Sequence, residues 1–538
     1  MRRLLIATAA FLLLGATQAT ADTVVTDYQD PLQALPSVSR PATDSCTVTA
    51  MHHVFANSYG QPYVGTLTPP SSCAGDWTKV VLDWTASSAG RQYDRLAGIW
   101  IGGAEVARTS TPEPDPTGIT WHFDKDITEF SPLLHQAQPF VVDLGNIVND
   151  TYTGPYDVTV TITYFKADRH HPAPRQADKV LPLAADHNSP GWQALGDGQT
   201  YNAQVTVPGN TAKLTAEIYA RGGGCEEFWW SNVPTSVSQG NPDAGLCGGG
   251  TYREVDVAVD GHPAGAVMPY PTIYTGGVAP MLWRPISAID AIVTLPYTID
   301  LSPFIGTLTD GKAHTITLTP PKGIVDVWTL GGNLFATTDP HTKRVTGELR
   351  TADVPEAQVH TDLTGTGIDV TATTTVDRSW HTEGVLHTSQ GRITVKAGGQ
   401  WTFANTTSLT DSAARQQTTH RVDGAYTANG RTDRFGFTLD ADSTTAYTDS
   451  NNYRIDATVH MGRVLRTELG HGRLLAFSDD QIDTSGGFGR TNGQLTYADG
   501  QSSERWRGLD DTGRCLDRTL VTAHGWVTGD RTVNARCR

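Results

Sequence analysis

The sequence of 538 residues lacks several features that would mark common classes of protein. It has only six cysteines and no C-x-x-C pair, which argues against a zinc ribbon. No H-E-x-x-H motif is present. Two pairs of histidines are adjacent, His52–His53 and His170–His171, but the two side chains of each pair would point to opposite faces of a strand, so neither pair is a good metal chelate. A G-x-S-x-G elbow is also missing, so a serine hydrolase of the α/β type is not indicated. We therefore expect no metal and no other cofactor.

Positive charge is scarce. Lysine and arginine number 40 against 56 aspartate and glutamate residues, which gives a formal net charge of −16. A polyanion would be repelled by this charge, so we expect no nucleic-acid partner. The sequence does not determine the oligomeric state.

Long apolar runs are absent after the N-terminus. The segment that begins with Met1-Arg2-Arg3 continues through apolar residues 4–15 and ends in small residues at 19–21. This run is too short to cross a bilayer and is typical of a secretory signal peptide. We predict a signal peptide over residues 1–21, a secreted (extracellular) protein and no membrane segment.

The cysteines that are present indicate disulfides, because an even number in an exported chain favours pairing. Six cysteines permit many connectivities, but proximity in sequence favours Cys46–Cys73, Cys225–Cys247 and Cys515–Cys537. A thiol nucleophile is not expected if all six are paired.

Short β-branched runs between Gly, Pro, Asn and Asp predict an all-β chain of sandwiches, as at residues 79–84, 156–164 and 254–259. A proline-rich break near residue 172 predicts a linker. The character changes again after residue 340, where strands such as 392–395 look short and polar. The predicted organisation is a first β-sandwich at 22–170, a linker at 171–178, a second β-sandwich at 179–340, and a β-rich C-terminal domain at 341–538.

Glu226 and Glu227 form the first candidate site. They follow three glycines that allow close backbone approach to a ligand, and they precede the aromatic residues 228–230. Burial beside aromatic rings raises the pKa of a carboxylate, which suits chemistry. The alternative is a surface turn with solvated acids and with aromatics in the core.

Two further segments carry candidate residues. Asp94 precedes a strand-like run and is flanked by Arg95, which either holds a reactive carboxylate ionised or forms an ordinary surface pair. The loop at 269–285 contains Tyr274, Trp283 and Arg284, and aromatic faces and a guanidinium suit a sugar. Its alternative is a loop pinned by prolines with its Trp in the core.

Several blocks, in order between about residues 45 and 340, resemble the secreted, acid-active peptide:N-glycanase A family. They are Gly60-Gln61-Pro62-Tyr63 with Pro69-Pro70, 93–95 continuing to 111, 146–156, 225–229, 273–277 and 282–286. A more distant resemblance is to the bacterial peptide:N-glycosidase F, whose two jelly-roll sandwiches pack side by side. The resemblance implies two adjacent jelly-roll-like sandwiches here, with the acids facing each other across the cleft between them.

The resemblance also implies residue roles. Asp94 matches the essential Asp of a W-D-R-Y-A-N-V-Y-V segment, and Glu227 matches the essential Glu of G-C-A-E-W. A supporting third acid of that pattern falls on Gly145, and Asp143 is the nearby candidate. Asp94 is expected as base toward water, Glu227 as proton donor or sugar binder, and Arg284 as an anchor or oxyanion helper. The residues expected to bind substrate are Glu226, Trp229, Tyr274, Trp283, Arg284 and Asp143.

The implied reaction is hydrolysis of the amide between the innermost N-acetylglucosamine of an N-glycan and asparagine, in N-glycosylated peptides or glycoproteins. Two alternatives stay open at this point. A secreted lectin-like protein could keep the cleft without turnover, although binding alone does not need two acids. A glycosidase cutting between sugars of the glycan core would use a similar carboxylate pair.

Overall fold

The computed structural model describes residues 23–537, and the predicted signal peptide lies outside these residues. The first sandwich has two four-stranded antiparallel sheets, with strand orders β1-β8-β3-β6 and β2-β7-β4-β5. This pairing of eight strands in two sheets is a jelly roll. Its strands are β1 (Ser45–Phe55), β2 (Tyr63–Leu67), β3 (Trp77–Ser88), β4 (Leu96–Ile101), β5 (Ala104–Ser110), β6 (Ile119–Asp126), β7 (Gln138–Leu144) and β8 (Tyr156–Lys166), with a short helix α1 (Ser131–Leu134).

The second sandwich repeats this order. Its sheets run β10-β17-β12-β15 and β11-β16-β13-β14, and β9 adds to β17 as an extra strand. The strands are β9 (Lys179–Pro182), β10 (Gln193–Leu195), β11 (Tyr201–Val205), β12 (Thr211–Gly223), β13 (Val255–Val259), β14 (His262–Val267), β15 (Tyr297–Asp300), β16 (His314–Thr319) and β17 (Val327–Thr338), with helices α2 (Thr235–Gly240) and α3 (Ile305–Leu308). The all-β prediction with two adjacent jelly rolls is confirmed.

The C-terminal region forms one eleven-stranded antiparallel sheet in which β18 and β20 to β28 follow chain order and β19 pairs with β20. Its strands are β18 (Thr346–Asp353), β19 (His360–Thr366), β20 (Asp369–Thr388), β21 (Gly391–Thr410), β22 (Arg415–Ala428), β23 (Arg431–Asp449), β24 (Asn452–Leu469), β25 (Arg473–Thr491), β26 (Gln494–Leu509), β27 (Cys515–Ala523) and β28 (Trp526–Asn534).

The expectation of short strands in this region was wrong, because β20 and β21 each run for 20 residues. Their buried and exposed residues alternate, so one face is apolar and the other is polar and rich in threonine. Polar residues on the outer face interrupt the apolar runs of the sequence, so the strands look shorter in the sequence than they are. The apolar face shares one core with the second sandwich and contributes Trp380, Trp401, Phe403, Phe435, Phe437 and Met461.

The sandwiches meet along β5 and β17. The Asn333 side chain exchanges hydrogen bonds of 2.9 and 2.8 Å with the backbone N–H and C=O of Glu105, and Arg108 donates to the Thr329 carbonyl at 3.0 Å. Arg108 and Glu105 are fully buried and form a bidentate pair with each other. These contacts fix how the edges of the two sandwiches face one another.

All three predicted disulfides are confirmed, Cys46–Cys73, Cys225–Cys247 and Cys515–Cys537. The segment at 167–178, described throughout, contains neither helix nor strand. The predicted domain boundaries stay predictions. Among residues 23–537, no helix is long and apolar enough to cross a membrane.

Candidate active site

Asp94 lies on the segment that enters β4, at the edge of the first sandwich. Its neighbours along the chain are held firmly: the Tyr156 hydroxyl donates to the Tyr93 carbonyl at 2.6 Å, and the Arg95 N–H donates to the Thr111 hydroxyl at 2.8 Å. Burial raises the pKa of Asp94, although the guanidinium of Arg221 acts in the opposite direction. The carboxylate is therefore both positioned and poorly solvated.

Glu227 reaches the same place from the second sandwich. It ends a short 3-10 turn (Gly224–Glu226) directly after β12, and its N–H donates to the Gly224 carbonyl at 3.0 Å. Gly224 has φ of +59°, and a Cβ there would lie 2.0 Å from an oxygen of Asp326, so a side chain is excluded. Burial raises the pKa of Glu227 to about 7, the Arg221 charge lowers it, and the Asp94 charge raises it.

Arg221, near the end of β12, is the group that joins the two acids, and the sequence analysis missed it. Its guanidinium lies 3.7 Å from Glu227 and 4.1 Å from the centroid of the Tyr274 ring, and its charge acts on Asp94. Its Nε has no hydrogen-bond partner within residues 23–537. The sequence feature that could have revealed Arg221 is its position at the end of an apolar strand, just before the glycines and the acidic pair.

Glu113 is a third carboxylate at the site, and it was also missed. It follows β5, the strand next to β4, and it accepts a hydrogen bond of 2.8 Å from Arg284. A Cβ on Gly276 would lie 2.5 Å from a Glu113 oxygen and 3.3 Å from an Asp94 oxygen, so both acids face this glycine. Burial raises the pKa of Glu113, Arg284 lowers it, and Asp94 raises it. An acid between two prolines immediately after a strand was the signal that could have revealed it.

Arg284 therefore stands beside Glu113. Its guanidinium also lies 4.7 Å from the centroid of the Tyr28 ring, and the Tyr28 hydroxyl donates to the Glu113 carbonyl at 2.6 Å. The N-terminal segment that carries Tyr28 thus helps to enclose this side of the site. Arg284 keeps its predicted place near the acids, although it is already paired with one of them.

Glu226 has a different environment from Glu227, and its role in substrate binding stays a prediction. Its side chain is fully buried, and Arg253 donates two hydrogen bonds to it, at 2.6 and 2.9 Å. The Trp328 Nε1–H at 2.9 Å and the Val325 N–H at 3.1 Å complete its partners. Adjacent residues of the 3-10 turn point in different directions. The Glu226 side chain points inward, where it forms a structural ion pair with Arg253.

Two of the predicted aromatic residues lie in the core, and their roles in substrate binding stay predictions. Trp229 is buried against Trp328 and His420, with ring centroids 6.3 and 5.4 Å away, so it is a core residue. Trp283 is buried too, and its Nε1–H donates to the Gly277 carbonyl at 2.7 Å. Apolar burial in the shared core outweighs exposure to a ligand for both rings. Their role is to hold the loops that carry Glu227 and Arg284.

Tyr274 lies at the site as predicted, with its ring beneath Arg221. Its hydroxyl is buried, and burial raises its pKa to about 12, so it stays neutral. Thr275 donates from its hydroxyl to the Thr111 carbonyl at 2.9 Å, which ties this loop to the first sandwich. The loop at 269–285 is therefore part of the wall between Asp94 and Glu227.

Asp143 lies on β7 opposite Gly98 and beside Trp192. Burial raises its pKa to about 6, and the hydrogen bond with Trp192 acts in the opposite direction. None of Asp94, Glu113 or Glu227 contributes to that shift. The structure thus places Asp143 apart from the acidic cluster, in which Glu113 is the third carboxylate, and the substrate-binding role of Asp143 stays a prediction.

An exposed aromatic cluster borders Asp94. The rings of Tyr59, Tyr93 and Tyr152 surround the guanidinium of Arg95, with centroids 5.8, 5.9 and 6.0 Å from it. Tyr59 is 58% exposed and Tyr93 is 45% exposed. Exposed faces of this kind stack on sugar rings, so the cluster offers a rim for a ligand entering the cleft.

The C-terminal sheet supports the same loops from behind. Asn405 donates to the Trp230 carbonyl at 2.8 Å, and Gln416 donates to the Ser231 carbonyl at 2.9 Å. Thr484 and Ser502 both donate to the Leu282 carbonyl, at 2.8 and 3.0 Å. The sheet thereby holds the segments that follow Glu227 and precede Arg284.

The chemical capacity of the cleft follows from these groups. Three desolvated carboxylates and two arginines converge from two sandwiches, which suits general acid–base catalysis with stabilisation of a developing negative charge. Among residues 23–537, no group of three or more His, Cys, Asp or Glu side chains could hold a metal ion. Fold and site together define a class of double jelly-roll proteins with a cluster of acids where the sandwiches meet.

Comparison with known proteins identifies the family. Residues 35–355 match the model of the family described as Peptide N-acetyl-beta-D-glucosaminyl asparaginase amidase A. The chain belongs to this family. The matched residues include both sandwiches and all of the acids described above.

A curated relative agrees with this assignment. The Peptide-N4-(N-acetyl-beta-glucosaminyl)asparagine amidase A of Prunus dulcis is 32% identical over 403 residues, which is 72% of this chain and 69% of the relative. Two solved structures of PNGF-II are similar at 14% and 13% identity, with TM-scores of 0.37 and 0.36. They cover 55% and 60% of this chain, and 66% and 65% of their own chains.

Proposed function

We propose that this protein is an amidase that hydrolyses the bond between the innermost N-acetylglucosamine of an N-glycan and the asparagine side chain. The observation that carries the proposal is the meeting of Asp94 and Glu227, from different sandwiches, at Arg221. Family membership supplies the substrate class, and the exposed tyrosine cluster suits a sugar.

The first step is attack of water on the amide carbonyl. Asp94, held ionised in part by Arg221, accepts a proton from the water as its oxygen bonds to the carbonyl carbon. The carbonyl oxygen becomes negative in the tetrahedral intermediate. The positive guanidinium of Arg221, whose charge acts on both Asp94 and Glu227, is suited to stabilise that oxygen.

The second step is departure of the nitrogen. An amide nitrogen is a poor leaving group unless it is protonated, and Glu227, with its pKa raised to about 7, is neutral in mildly acidic solution and can donate the proton. The C–N bond then breaks, which leaves aspartate in the peptide and a glycosylamine on the glycan. The glycosylamine subsequently loses ammonia to water, and proton exchange with solvent restores Asp94 and Glu227.

Glu113 and Arg284 complete the proposed site without taking part in these proton transfers. The charge of Asp94 raises the pKa of Glu113, and the charge of Arg284 lowers it. Glu113 and Arg284 together orient the loop that contains Gly276 toward Asp94, since the carboxylates of Glu113 and Asp94 both face Gly276. We assign them as positioning residues.

We also infer that the protein is secreted and acts outside the cell. The support is the signal-like N-terminal sequence together with three disulfides, which persist in oxidising compartments. Detection of the mature protein in culture medium, with an N-terminus near residue 22, tests this; retention in the cell with residues 1–21 intact contradicts it.

The reaction itself is tested by mass spectrometry of a glycopeptide after incubation with the protein. Conversion of the glycosylated Asn to Asp, with an intact free glycan, is the expected result. A single N-acetylglucosamine retained on the peptide would indicate a glycosidase. An unchanged mass would leave a carbohydrate-binding protein, and either outcome rejects the amidase.

A further inference from the structure

Residues 23–36 form an N-terminal strap that docks on both sandwiches before β1 begins. The strap contains neither helix nor strand. Its Leu32 N–H donates to the Pro285 carbonyl of the second sandwich at 3.1 Å. Its Asp30 side chain accepts a hydrogen bond of 2.7 Å from the Thr120 N–H of the first sandwich. The strap therefore crosses the molecule where loops of the two sandwiches come together.

Tyr28 is the residue of this strap that reaches the candidate active site. It is 6% exposed, and its hydroxyl donates to the Glu113 carbonyl at 2.6 Å. Its N–H donates to the Asp115 carboxylate at 3.4 Å. The centroid of its ring lies 4.7 Å from Cζ of Arg284. One side chain therefore contacts both members of the ion pair that Glu113 forms with Arg284.

The C-terminal sheet holds Tyr28 from the other side. Gly525, in the turn between β27 and β28, has φ of +79°, and a Cβ there would lie 2.7 Å from the Tyr28 Cβ. A glycine at this position leaves the room that Tyr28 occupies. The Gln29 N–H also donates to the Gly525 carbonyl at 2.9 Å. The strap thus lies directly against this turn, which limits movement of Tyr28 away from Arg284.

Arg284 has few other contacts that could hold it in place. Its guanidinium donates to the Glu113 carboxylate at 2.8 Å and to the Met281 sulfur at 3.7 Å. Its Nε has no hydrogen-bond partner within residues 23–537. The face of an aromatic ring attracts a cation, more strongly where water is excluded. The Tyr28 ring therefore supplies a substantial part of what keeps the guanidinium beside Glu113.

We propose that Tyr28 is a positioning residue of the active site, which holds Arg284 against Glu113 and so keeps the loop that contains Gly276 in place. This role rests on the proposed amidase reaction, in which Glu113 and Arg284 orient that loop toward Asp94. Tyr28 itself transfers no proton. The N-terminal strap thereby becomes a part of the site, although it precedes both sandwiches in the chain.

The test begins with two substitutions in the full-length mature protein, assayed by release of glycan from a glycopeptide. Tyr28→Leu removes the aromatic face, and its kcat should fall by roughly five- to tenfold, as loss of a partly desolvated cation–π contact implies. Tyr28→Phe keeps the ring over Arg284 and should retain a kcat within about threefold of the unmodified chain.

A double-mutant cycle then separates positioning from loss of stability. Arg284→Met removes the guanidinium that the ring holds, so adding Tyr28→Leu to it should lower kcat no further than about twofold. A substitution that only reduces the folded fraction would instead multiply its loss with that of Arg284→Met. If Tyr28→Leu does not fold, Tyr28→Met takes its place with the same expectations, since it refills the space without an aromatic face.

Tyr201→Leu is the matched control. Tyr201 is 2% exposed, and its hydroxyl donates to the Gly191 carbonyl at 3.0 Å, so this change removes a similarly buried ring and the same kind of hydrogen bond. It lies on β11, in the sheet of the second sandwich that does not contain β12. Tyr201→Leu should lower the melting temperature as Tyr28→Leu does, while kcat well below that temperature stays normal.

A lower kcat in Tyr28→Leu that Tyr28→Phe restores, and that is absent when Arg284→Met is already present, supports the role of Tyr28. A normal kcat in Tyr28→Leu overturns it, as does a loss that multiplies with that of Arg284→Met. Tyr28→Phe that is as slow as Tyr28→Leu also overturns it, because the ring is then not the group that matters. An unmodified chain that releases no glycan rejects the amidase and this role together, whereas an active chain with a normal Tyr28→Leu rejects the role of Tyr28 alone.

Discussion

Glu226 and Glu227 are adjacent residues of the same type with opposite environments. Glu226 is buried and receives four hydrogen bonds, from Arg253, Trp328 and Val325. Within residues 23–537, the one polar contact of the Glu227 carboxylate is a long one of 3.7 Å with Arg221, and burial raises the pKa of Glu227 to about 7. The comparison teaches that burial alone does not make a carboxylate reactive: reactivity needs a group that its surroundings leave incompletely satisfied.

The pair also shows how the fold supports its own site. The Glu226–Arg253 ion pair fixes the 3-10 turn from inside the second sandwich, and the turn then presents Glu227 to Asp94 of the first sandwich. Glu226 positions the turn, and Glu227 is the proposed proton donor. Substitution of Glu226 should therefore reduce stability, whereas substitution of Glu227 should reduce catalysis.

The largest effect on the chemistry is expected from Asp94→Asn. The amide keeps the shape of the side chain but cannot accept the proton of the attacking water, so kcat for glycopeptide hydrolysis should fall by about 10²–10⁴-fold. Steady-state release of glycan measures this, and circular dichroism controls for folding. A folded variant with normal kcat removes Asp94 from the mechanism.

Glu226→Gln should chiefly reduce stability. It removes the charge that compensates the buried Arg253, and breaking a buried pair destabilises by about 3–5 kcal/mol. Chemical denaturation measures the free energy of unfolding. The exposed pair of Glu348 with Arg350 provides the control, since Glu348→Gln should change stability by less than about 1 kcal/mol. Equal stability of the two variants would contradict the structural role of Glu226.

Glu227 should control the descending limb of the pH profile. A carboxyl with a pKa of about 7 is neutral below that pH and loses its proton above it, so kcat/KM should fall as pH rises through about 7. Because the pKa is raised on folding, Glu227 also favours the folded state at low pH, and this contribution is lost as pH rises through about 7.

The measurement is kcat/KM against pH for the unmodified chain and for Glu227→Gln, which cannot titrate. The variant should have low activity without the descending limb near pH 7. The rising limb, set by Asp94, should remain. If the descending limb near pH 7 persists in Glu227→Gln, a group other than Glu227 is responsible for it.

A smaller effect is expected from Glu113→Gln. Glu113 lies beside Asp94 and pairs with Arg284, but it transfers no proton in the proposed reaction. Removing its charge should lower kcat by roughly tenfold or less, because the Gly276 loop loses the ion pair of Glu113 with Arg284. The rising limb of the pH profile should stay in place, since the pKa of Asp94 is set by burial, Arg221 and Arg95 and not by Glu113. Asp143→Asn is the control and should change neither value. A loss as large as that of Asp94→Asn would make Glu113 a proton-transfer group.

The sequence predicted a good share of the site, though not all of its roles. The structure brings together four of the predicted site residues, Asp94, Glu227, Tyr274 and Arg284. Each of them belongs to a short motif that can be recognised along the chain. The sequence could not decide between sugar contact and core packing for Trp229 and Trp283, because a tryptophan in a polar loop looks alike in both cases. Only the position of the C-terminal sheet, which covers Trp229 through His420, separates the two readings.

By itself, the sequence determined the all-β class and favoured the three disulfides that the structure contains, and its short motifs singled out Asp94 and Glu227 as the proposed acids. Alternation, cysteine spacing and short motifs are properties of neighbouring residues. The tertiary structure decided the rest. Arg221 and Glu113 reach the site from strands whose pairing is set far along the chain, and the orientation of Glu226 depends on Arg253, Trp328 and Val325. Burial and charge at these positions arise from contacts between distant segments, which no local pattern encodes.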